Sequence, residues 1–176
     1  MKRRAVSEKE VAALVARLAT AIAGRGRGTR DLVLIGIKRR GVPLARRLAR
    51  AIQGKRRSAV PVGAIDITLY RDDLQLVAET PIVRGSEIDF DINGKRVVLV
   101  DDVIYTGRTV RAALTELLDF GRPKRIELAV LIDRGHRELP VAPDYVGRRI
   151  ETRPGDLVDI CLAEQDDCDG VFVTRR

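Results

Sequence analysis

The sequence predicts an α/β fold in which a parallel sheet is flanked by helices, within one domain covering residues 1–176. Two observations carry this. Leu32-Val33-Leu34-Ile35 and Val97-Val98-Leu99-Val100 are short, continuous apolar runs, the pattern of strands buried on both faces, and Ile126–Ile132, apolar but for Glu127, reads as a further strand. Stretches of helical period separate them, and strand–helix alternation implies parallel strands joined by crossovers. A chain of 176 residues, 45% hydrophobic and with a mean hydropathy of -0.09, can bury a core without disulfides or metals.

Each element has a local cause. Ser7-x-x-Glu10 is a capping box, in which hydroxyl and carboxylate each satisfy a backbone donor, and it opens a first helix. Val11, Leu14, Val15, Leu18 and Ile22 follow at helical spacing, and Gly24 ends the pattern. The basic connector Arg25–Gly28 contains a GxGxG-like string, but no strand precedes it, so it is not a dinucleotide fingerprint. After the strand at Leu32, a loop Gly36–Gly41 leads to a second helix opened by Pro43 and closed by Gly54. Val62–Tyr70 reads as a strand. Residues 71–94 form a long segment without sustained period, part of which is expected to act as a flexible lid. The strand Arg96–Val100 precedes a helix near Thr109–Phe120, which Gly121 and Pro123 stop. Beyond Ile132, short strands are expected near Tyr145, Ile160 and Phe172.

Composition narrows the function classes. No apolar run is long enough for a membrane helix, and the first residues lead into Glu8 and Glu10 rather than a signal-peptide core, so a cytoplasmic location is expected. Cys161 and Cys168 have neither CxxC spacing nor a nearby histidine, which suits reduced thiols rather than zinc. The net charge of +8 fits phosphorylated small molecules or nucleic acid, and equally a soluble surface.

The chemistry lies in the string Asp101-Asp102-Val103-Ile104-Tyr105-Thr106-Gly107-Arg108-Thr109. Two carboxylates end a buried strand, where open α/β sheets place ligands. A Thr-Gly-x-Thr turn then feeds a helix N-terminus, whose free N–H groups and dipole attract phosphate. The combination suits a ribose 5-phosphate: Asp101 and Asp102 accept from vicinal hydroxyls, and Thr106, Thr109 and the intervening amides hold the anion. Acidic groups facing the sugar also stabilise positive charge developing at its anomeric carbon. The Gly36–Gly41 loop, with Lys38, Arg39 and Arg40, offers amides and cations suited to a diphosphate. No GxxxxGK[ST] motif is present.

This string resembles the phosphoribosyl diphosphate signature of the type I phosphoribosyltransferases, and Gly36–Gly41 resembles their pyrophosphate loop. Asp66–Asp73, Lys38, Gly41 and the octapeptide Asp133-Arg134-Gly135-His136-Arg137-Glu138-Leu139-Pro140 are similar to one subfamily, the bacterial pyrimidine operon regulators that also act as uracil phosphoribosyltransferases. The resemblance runs almost end to end. It implies a type I fold whose small hood comes mainly from the C-terminal part. It implies conversion of uracil and phosphoribosyl diphosphate to UMP and pyrophosphate with Mg²⁺. It also implies binding of pyrimidine leader mRNA in the presence of UMP, and a homodimer or homotetramer. By the same resemblance, Asp101 and Asp102 serve catalysis at the ribose. Lys38, Arg39 and Arg40 belong to the pyrophosphate loop, Val103 to Thr109 bind the sugar phosphate, and Arg134 and Val158 lie near the base. His136, the sole histidine, is not expected to be catalytic, because flanking Arg134 and Arg137 suit an anion-contacting or structural role. Arg17, Arg25, Arg27, Arg148 and Arg149 are the candidate RNA contacts. Other readings are a UMP-sensing regulator with little or no catalysis, a phosphoribosyltransferase without RNA binding, and an enzyme using hypoxanthine or guanine.

Overall fold

The computed structural model describes residues 2–25, 29–54, 59–68 and 85–175. Five parallel strands form the central sheet: β2 (Leu32–Ile37), β3 (Val62–Ile65), β4 (Arg96–Ile104), β5 (Arg125–Asp133) and β6 (Tyr145–Arg149). Their order is β3-β2-β4-β5-β6. The chain moves outward from β2 to β3, then returns to the other side of β2 for β4. The order therefore reverses between β2 and β4, and the loops leaving those two strands diverge to open a crevice.

Alternate side chains of the strands feed two apolar layers. Leu32, Leu34, Val98, Val100, Ala129 and Leu131 face helices α1 (Glu8–Gly24) and α2 (Gly41–Gln53). Val33, Ile35, Val97, Leu99, Leu128 and Val130 face α3 (Arg108–Asp119). The capping box forms as expected, Ser7 N–H donating to Glu10 Oε2 at 2.8 Å and Glu10 N–H to Ser7 Oγ at 3.4 Å. Helix α2 starts at Gly41, two residues before Pro43, which occupies the first turn, where proline costs no hydrogen bond.

Two expectations change. Strand β3 ends at Ile65, where Thr68 N–H turns back onto Asp66 Oδ1 at 3.0 Å; Leu69 and Tyr70 lie outside the described residues. The loop expected over 71–94 is shorter at its C-terminal end, since Ala64 and Glu87 exchange two backbone hydrogen bonds of 2.8 Å each. Ile88, Phe90 and Ile92 then pack at alternate positions onto the α3 side. That alternation was present in the sequence as a period of two. Residues 71–84 lie outside the described residues.

A second, antiparallel sheet has the order β1-β8-β7, combining β7 (Leu157–Cys161) and β8 (Gly170–Thr174) with β1 (Lys2–Val6). The N-terminal strand was not anticipated; its partner is the far end of the chain. Val6, Ile160, Leu162 and Val171 join this sheet to the α1–α2 layer. A short helix, α4 (Ala163–Asp166), links β7 to β8.

At the end of the strands opposite the crevice, Arg96 and Glu127 form a buried ion pair. Arg96 donates to Glu127 Oε2 from Nε at 3.0 Å and from Nη2 at 2.8 Å, and the Tyr145 hydroxyl donates to the same oxygen at 2.8 Å. Arg96 also donates to the carbonyls of Ile22 and Arg25, closing the C-terminus of α1. Burial pushes the Glu127 carboxyl up, but bonds from Arg96 and Tyr145 outweigh it and hold the group below its usual 4.5. Glu127→Gln leaves the Arg96 charge without its counter-ion, so we expect a loss of about 3–5 kcal/mol at neutral pH, read as a lowered thermal midpoint. A depressed carboxylate stabilises above its unfolded value and loses that effect as pH falls through its folded value. The gap between wild type and variant therefore closes as pH falls through the carboxylate range and past the depressed folded value, and a constant gap in thermal melts refutes the assignment.

Candidate active site

Strand β4 carries Asp101 and Asp102 to the crevice. Asp101 is only 6% exposed, its carboxylate accepting the Asp102 N–H at 2.9 Å, while Asp102 is half-buried and accepts the Val103 N–H at 2.8 Å. A strand end that opens on a crevice suggests two solvent-facing carboxylates; Asp101 is instead buried, because alternation along β4 places it with Val97 and Leu99 on the α3 side. Burial, and the Asp102 carboxylate beside it, raise the Asp101 carboxyl well above the usual range. Burial also raises Asp102, which Arg40 partly counteracts.

The approach of α2 depends on two glycines. A methyl group on Gly36 would stand 2.5 Å from the Gly41 carbonyl oxygen, and one on Gly41 would strike the Val100 carbonyl. The loop between them, Lys38 to Arg40, is thereby held beside Asp101 and Asp102; its Lys38–Arg39 peptide is cis. Lys38 Nζ donates to the Gly85 carbonyl and pairs with Glu87 at 3.0 Å. Arg40 grips Asp166 with two bonds, Nε at 3.1 Å and Nη2 at 3.0 Å. Arg39 is exposed, and among the described residues its guanidinium has no partner; its carbonyl accepts from Gln165 Nε2 at 3.2 Å. Two of the three expected diphosphate cations are therefore already engaged with carboxylates.

Val103 and Ile104 complete β4, with Ile104 buried. Tyr105, Thr106 and Gly107 turn the chain into α3, which Arg108 and Thr109 begin. Gly107 has φ +94°, so the turn calls for glycine on backbone grounds, since a methyl group there would meet only ordinary contacts at 3.5 Å. Arg108 pairs with Glu138 at 2.8 Å and points its charge along the surface. The first turn of α3 leaves backbone donors unpaired by the helix, facing the same crevice as the carboxylates.

Arg134 is buried, donating to the Asp156 carbonyl at 2.7 Å and to Thr152 Oγ1 at 3.3 Å, with its guanidinium 4.1 Å from the Tyr105 ring centroid. It ties the β5 loop to residues 152–156 and floors the crevice beside Tyr105. Val158 is half-buried in β7, opposite Val173. His136 Nε2 meets the Thr152 carbonyl at 2.7 Å.

The basic candidates divide. Arg17 donates to the Gly147 carbonyl, Arg25 pairs with Asp144 at 3.0 Å and Arg148 pairs with Glu10 at 3.0 Å, so all three lace α1 to β6. Arg149 is the open one, its side chain 83% exposed and 3.9 Å from Asp133. Arg27 lies outside the described residues. Sequence reasoning missed the carboxylates Glu164, Asp166 and Asp169, which hold Arg40 and Arg47, and missed the role of Arg137. The short acidic run itself was the available signal.

Comparison with known proteins agrees with this geometry. The model of the phosphoribosyl transferase domain matches residues 5–165. The chain belongs to the phosphoribosyltransferase family. Proteins named "Bifunctional protein PyrR" are similar across this phosphoribosyltransferase: 51% identity with that of Acetivibrio thermocellus, covering 98% of this chain and 94% of the relative, and 56% with that of Roseiflexus, covering 92% and 88%. Among solved structures, a hypoxanthine phosphoribosyltransferase from Trypanosoma cruzi superposes with a TM-score of 0.75 at 24% identity, covering 98% of this chain and 94% of that one. A hypoxanthine-guanine enzyme from Bacillus anthracis gives 0.70 at 24%, covering 98% and 97%. At that identity the likeness shows the shared fold.

Among the described residues, no three His, Cys, Asp or Glu side chains converge on a metal position, and no helix is long and apolar enough to cross a membrane. Both cysteines are free thiols, Cys161 half-buried and Cys168 exposed.

Because Asp101 is buried with a raised carboxyl, its ionised form burdens the fold. Asp101→Asn keeps the acceptor for the Asp102 N–H and removes that charge, so its thermal midpoint should equal or exceed wild type near pH 8. A raised carboxyl costs stability from its unfolded value upward and in full above its folded value, while below the unfolded value both states are protonated, so the variant's advantage fades as pH falls into the carboxylate range. A midpoint more than about 5 °C below wild type near pH 8 refutes this.

Proposed function

We propose that this phosphoribosyltransferase joins uracil to phosphoribosyl diphosphate, giving UMP and pyrophosphate, and that its UMP-bound form binds the leader of pyrimidine messenger RNA. The observation supporting it is the Asp101–Thr109 string at the β2/β4 crevice, in a chain 51% identical to a "Bifunctional protein PyrR" over 98% of its length. The octapeptide at Asp133 supports uracil over purine bases.

In this reading Asp101 and Asp102 accept hydrogen bonds from the ribose hydroxyls and hold negative potential under the anomeric carbon as its bond to diphosphate loosens. Val103 to Thr109 hold the 5′-phosphate by hydroxyls and amides. Arg39 receives the departing diphosphate. Arg40 joins it by exchanging Asp166 for phosphate oxygens, while Lys38 anchors the loop. Arg134 and the backbone near Val158 border the base. Magnesium, when bound, would neutralise charge on the diphosphate; a carboxylate pair with no third ligand among the described residues suits an ion that keeps its waters and arrives with the substrate. RNA would meet the basic surface, with Arg149 the most available of the predicted contacts and Arg17, Arg25 and Arg148 presenting what their ion pairs leave free. Cytoplasmic residence and assembly into homodimers or homotetramers belong to the same proposal.

The engagement of Lys38 and Arg40 by carboxylates favours a second reading, a UMP sensor with weak turnover. Incubating the protein with phosphoribosyl diphosphate, Mg²⁺ and a mixture of uracil, hypoxanthine and guanine separates the readings. UMP as the main product supports the first, binding of UMP without turnover supports the second, and a purine nucleotide overturns both.

Asp101→Asn combined with Asp102→Asn should lower turnover by at least about 100-fold while the chain remains folded by circular dichroism; near-normal turnover removes the ribose role. Thr106→Val should weaken UMP about 10- to 100-fold, the worth of a hydrogen bond to a charged group, and unchanged affinity in calorimetry counts against the phosphate turn. Affinity for leader RNA should rise with UMP and fall linearly in log–log form with salt; a flat response in a filter-binding titration leaves an enzyme only.

A further inference from the structure

The octapeptide Asp133–Pro140 is the most specific string in the chain, yet the reaction as described uses only Arg134 from it. Its geometry supplies a task for Arg137. Arg137 Nη1 donates to the Tyr105 carbonyl at 2.9 Å. Its Nη2 pairs with Asp133 Oδ1 at 2.7 Å, and its Nε donates to the Val141 carbonyl at 3.2 Å. Backbone donors of the same segment take the flanking carbonyls. Arg134 N–H reaches Ile104 at 3.2 Å, while Glu138 and Leu139 N–H both reach Thr106, at 2.9 and 3.2 Å. Three consecutive carbonyls of the turn, those of Ile104, Tyr105 and Thr106, are therefore tied to one segment.

In a planar trans peptide the carbonyl and the following N–H point in opposite directions. Holding the Tyr105 and Thr106 carbonyls against residues 134–139 turns the N–H groups of Thr106 and Gly107 the other way. The segment bends sharply to do this, with φ +76° at Gly135 and +60° at His136. The bond from His136 to the Thr152 carbonyl holds that bend, and histidine tolerates it better than most side chains. Arg137 thus folds back onto Asp133, four residues earlier, with its charge matched there.

We infer that Arg137 is a positioning residue, which orients the amides of Thr106 and Gly107 toward the sugar phosphate by fixing the Tyr105 carbonyl. This rests on the phosphate role of the turn proposed above. Arg137 acts through hydrogen-bond geometry rather than through its charge, which Asp133 already balances. The planar fork serves four acceptors at once, the Gly135 carbonyl at 3.2 Å being the fourth, and an ammonium group at that position lacks the shape to do so.

Arg137→Ala and Arg137→Lys, measured beside Thr106→Val, test it. Both Arg137 variants should raise KM for phosphoribosyl diphosphate and Kd for UMP about tenfold or more, with KM for uracil within about twofold and kcat within about threefold of wild type. The ratio of UMP to uridine affinity, which isolates the 5′-phosphate, should shrink by the same factor. If Arg137→Lys behaves as wild type, charge and not geometry is at work and the inference fails. It fails also if KM for uracil, kcat and the phosphate parameters all worsen together, the mark of a general structural role. Should Arg137→Ala not fold, Asp133→Asn, which loosens the fork without removing it, should shift the same phosphate parameters about threefold, and no shift overturns the inference. If Thr106→Val weakens UMP and the Arg137 variants do not, the inference falls while the phosphate reading stands. If neither does, the phosphate reading itself falls.

Discussion

The whole site depends on how closely the start of α2 approaches the end of β4. Gly41 lies against the Val100 carbonyl with no room for a side chain, and Gly36 makes equal room for Gly41. Because of that contact, the cationic loop leaving β2 and the paired carboxylates leaving β4 share one crevice rather than standing at opposite rims. Asp102 lies on the side of that contact, within reach of Arg40, while Asp101 is buried in step with Leu99 on the other face. A packing constraint between two backbones therefore shapes the site and brings Arg40 within reach of Asp102.

The second sheet is bound to this centre by charge as well as by apolar packing. Arg40 holds Asp166, and Arg47 holds Glu164 and Asp169, so α2 meets the α4 turn through a set of short ion pairs. Arg47 is largely shielded and its bonds to Asp169 and Glu164 raise its pKa, which makes this anchor persistent across physiological pH. Arg40 is the variable member, since it also faces Asp102 and borders the crevice. In the proposed reaction an arriving diphosphate would compete with Asp166 for the same guanidinium, which would couple ligand occupancy to the seating of the α4 turn. The apolar seam of Val6, Ile160, Leu162 and Val171 holds the sheet independently of that ion pair.

The excess of cations is less free than its number suggests. Of 33 Lys and Arg, those along the α1–β6 seam are spent on carbonyls and carboxylates within the chain, and Arg96 is wholly internal. The electrostatic surface that a polyanion meets is set by which pairs remain open to solvent. Exposed pairs such as Arg108–Glu138 are weakly held and can yield to phosphate at little cost.

Much of the fold was legible in the sequence because its causes are local. The capping box, the doubly buried apolar runs and the Thr-Gly-x-Thr turn each act over a few residues, and each stands where it was expected. What escaped was set at long range. Strand β1 exists only because β8, from the other end of the chain, lies beside it. The packing of Ile88 to Ile92 was overlooked because a short period of two is easily lost inside a polar segment. Residue type showed that Arg17, Arg25, Arg40 and Arg148 were cations; only tertiary structure decided which carboxylate or carbonyl each one meets. Sequence by itself thus determined the order of elements and the chemistry available at the ends of β2 and β4. Tertiary structure decided which groups are buried, paired or open, because burial and pairing depend on residues brought together from distant parts of the chain.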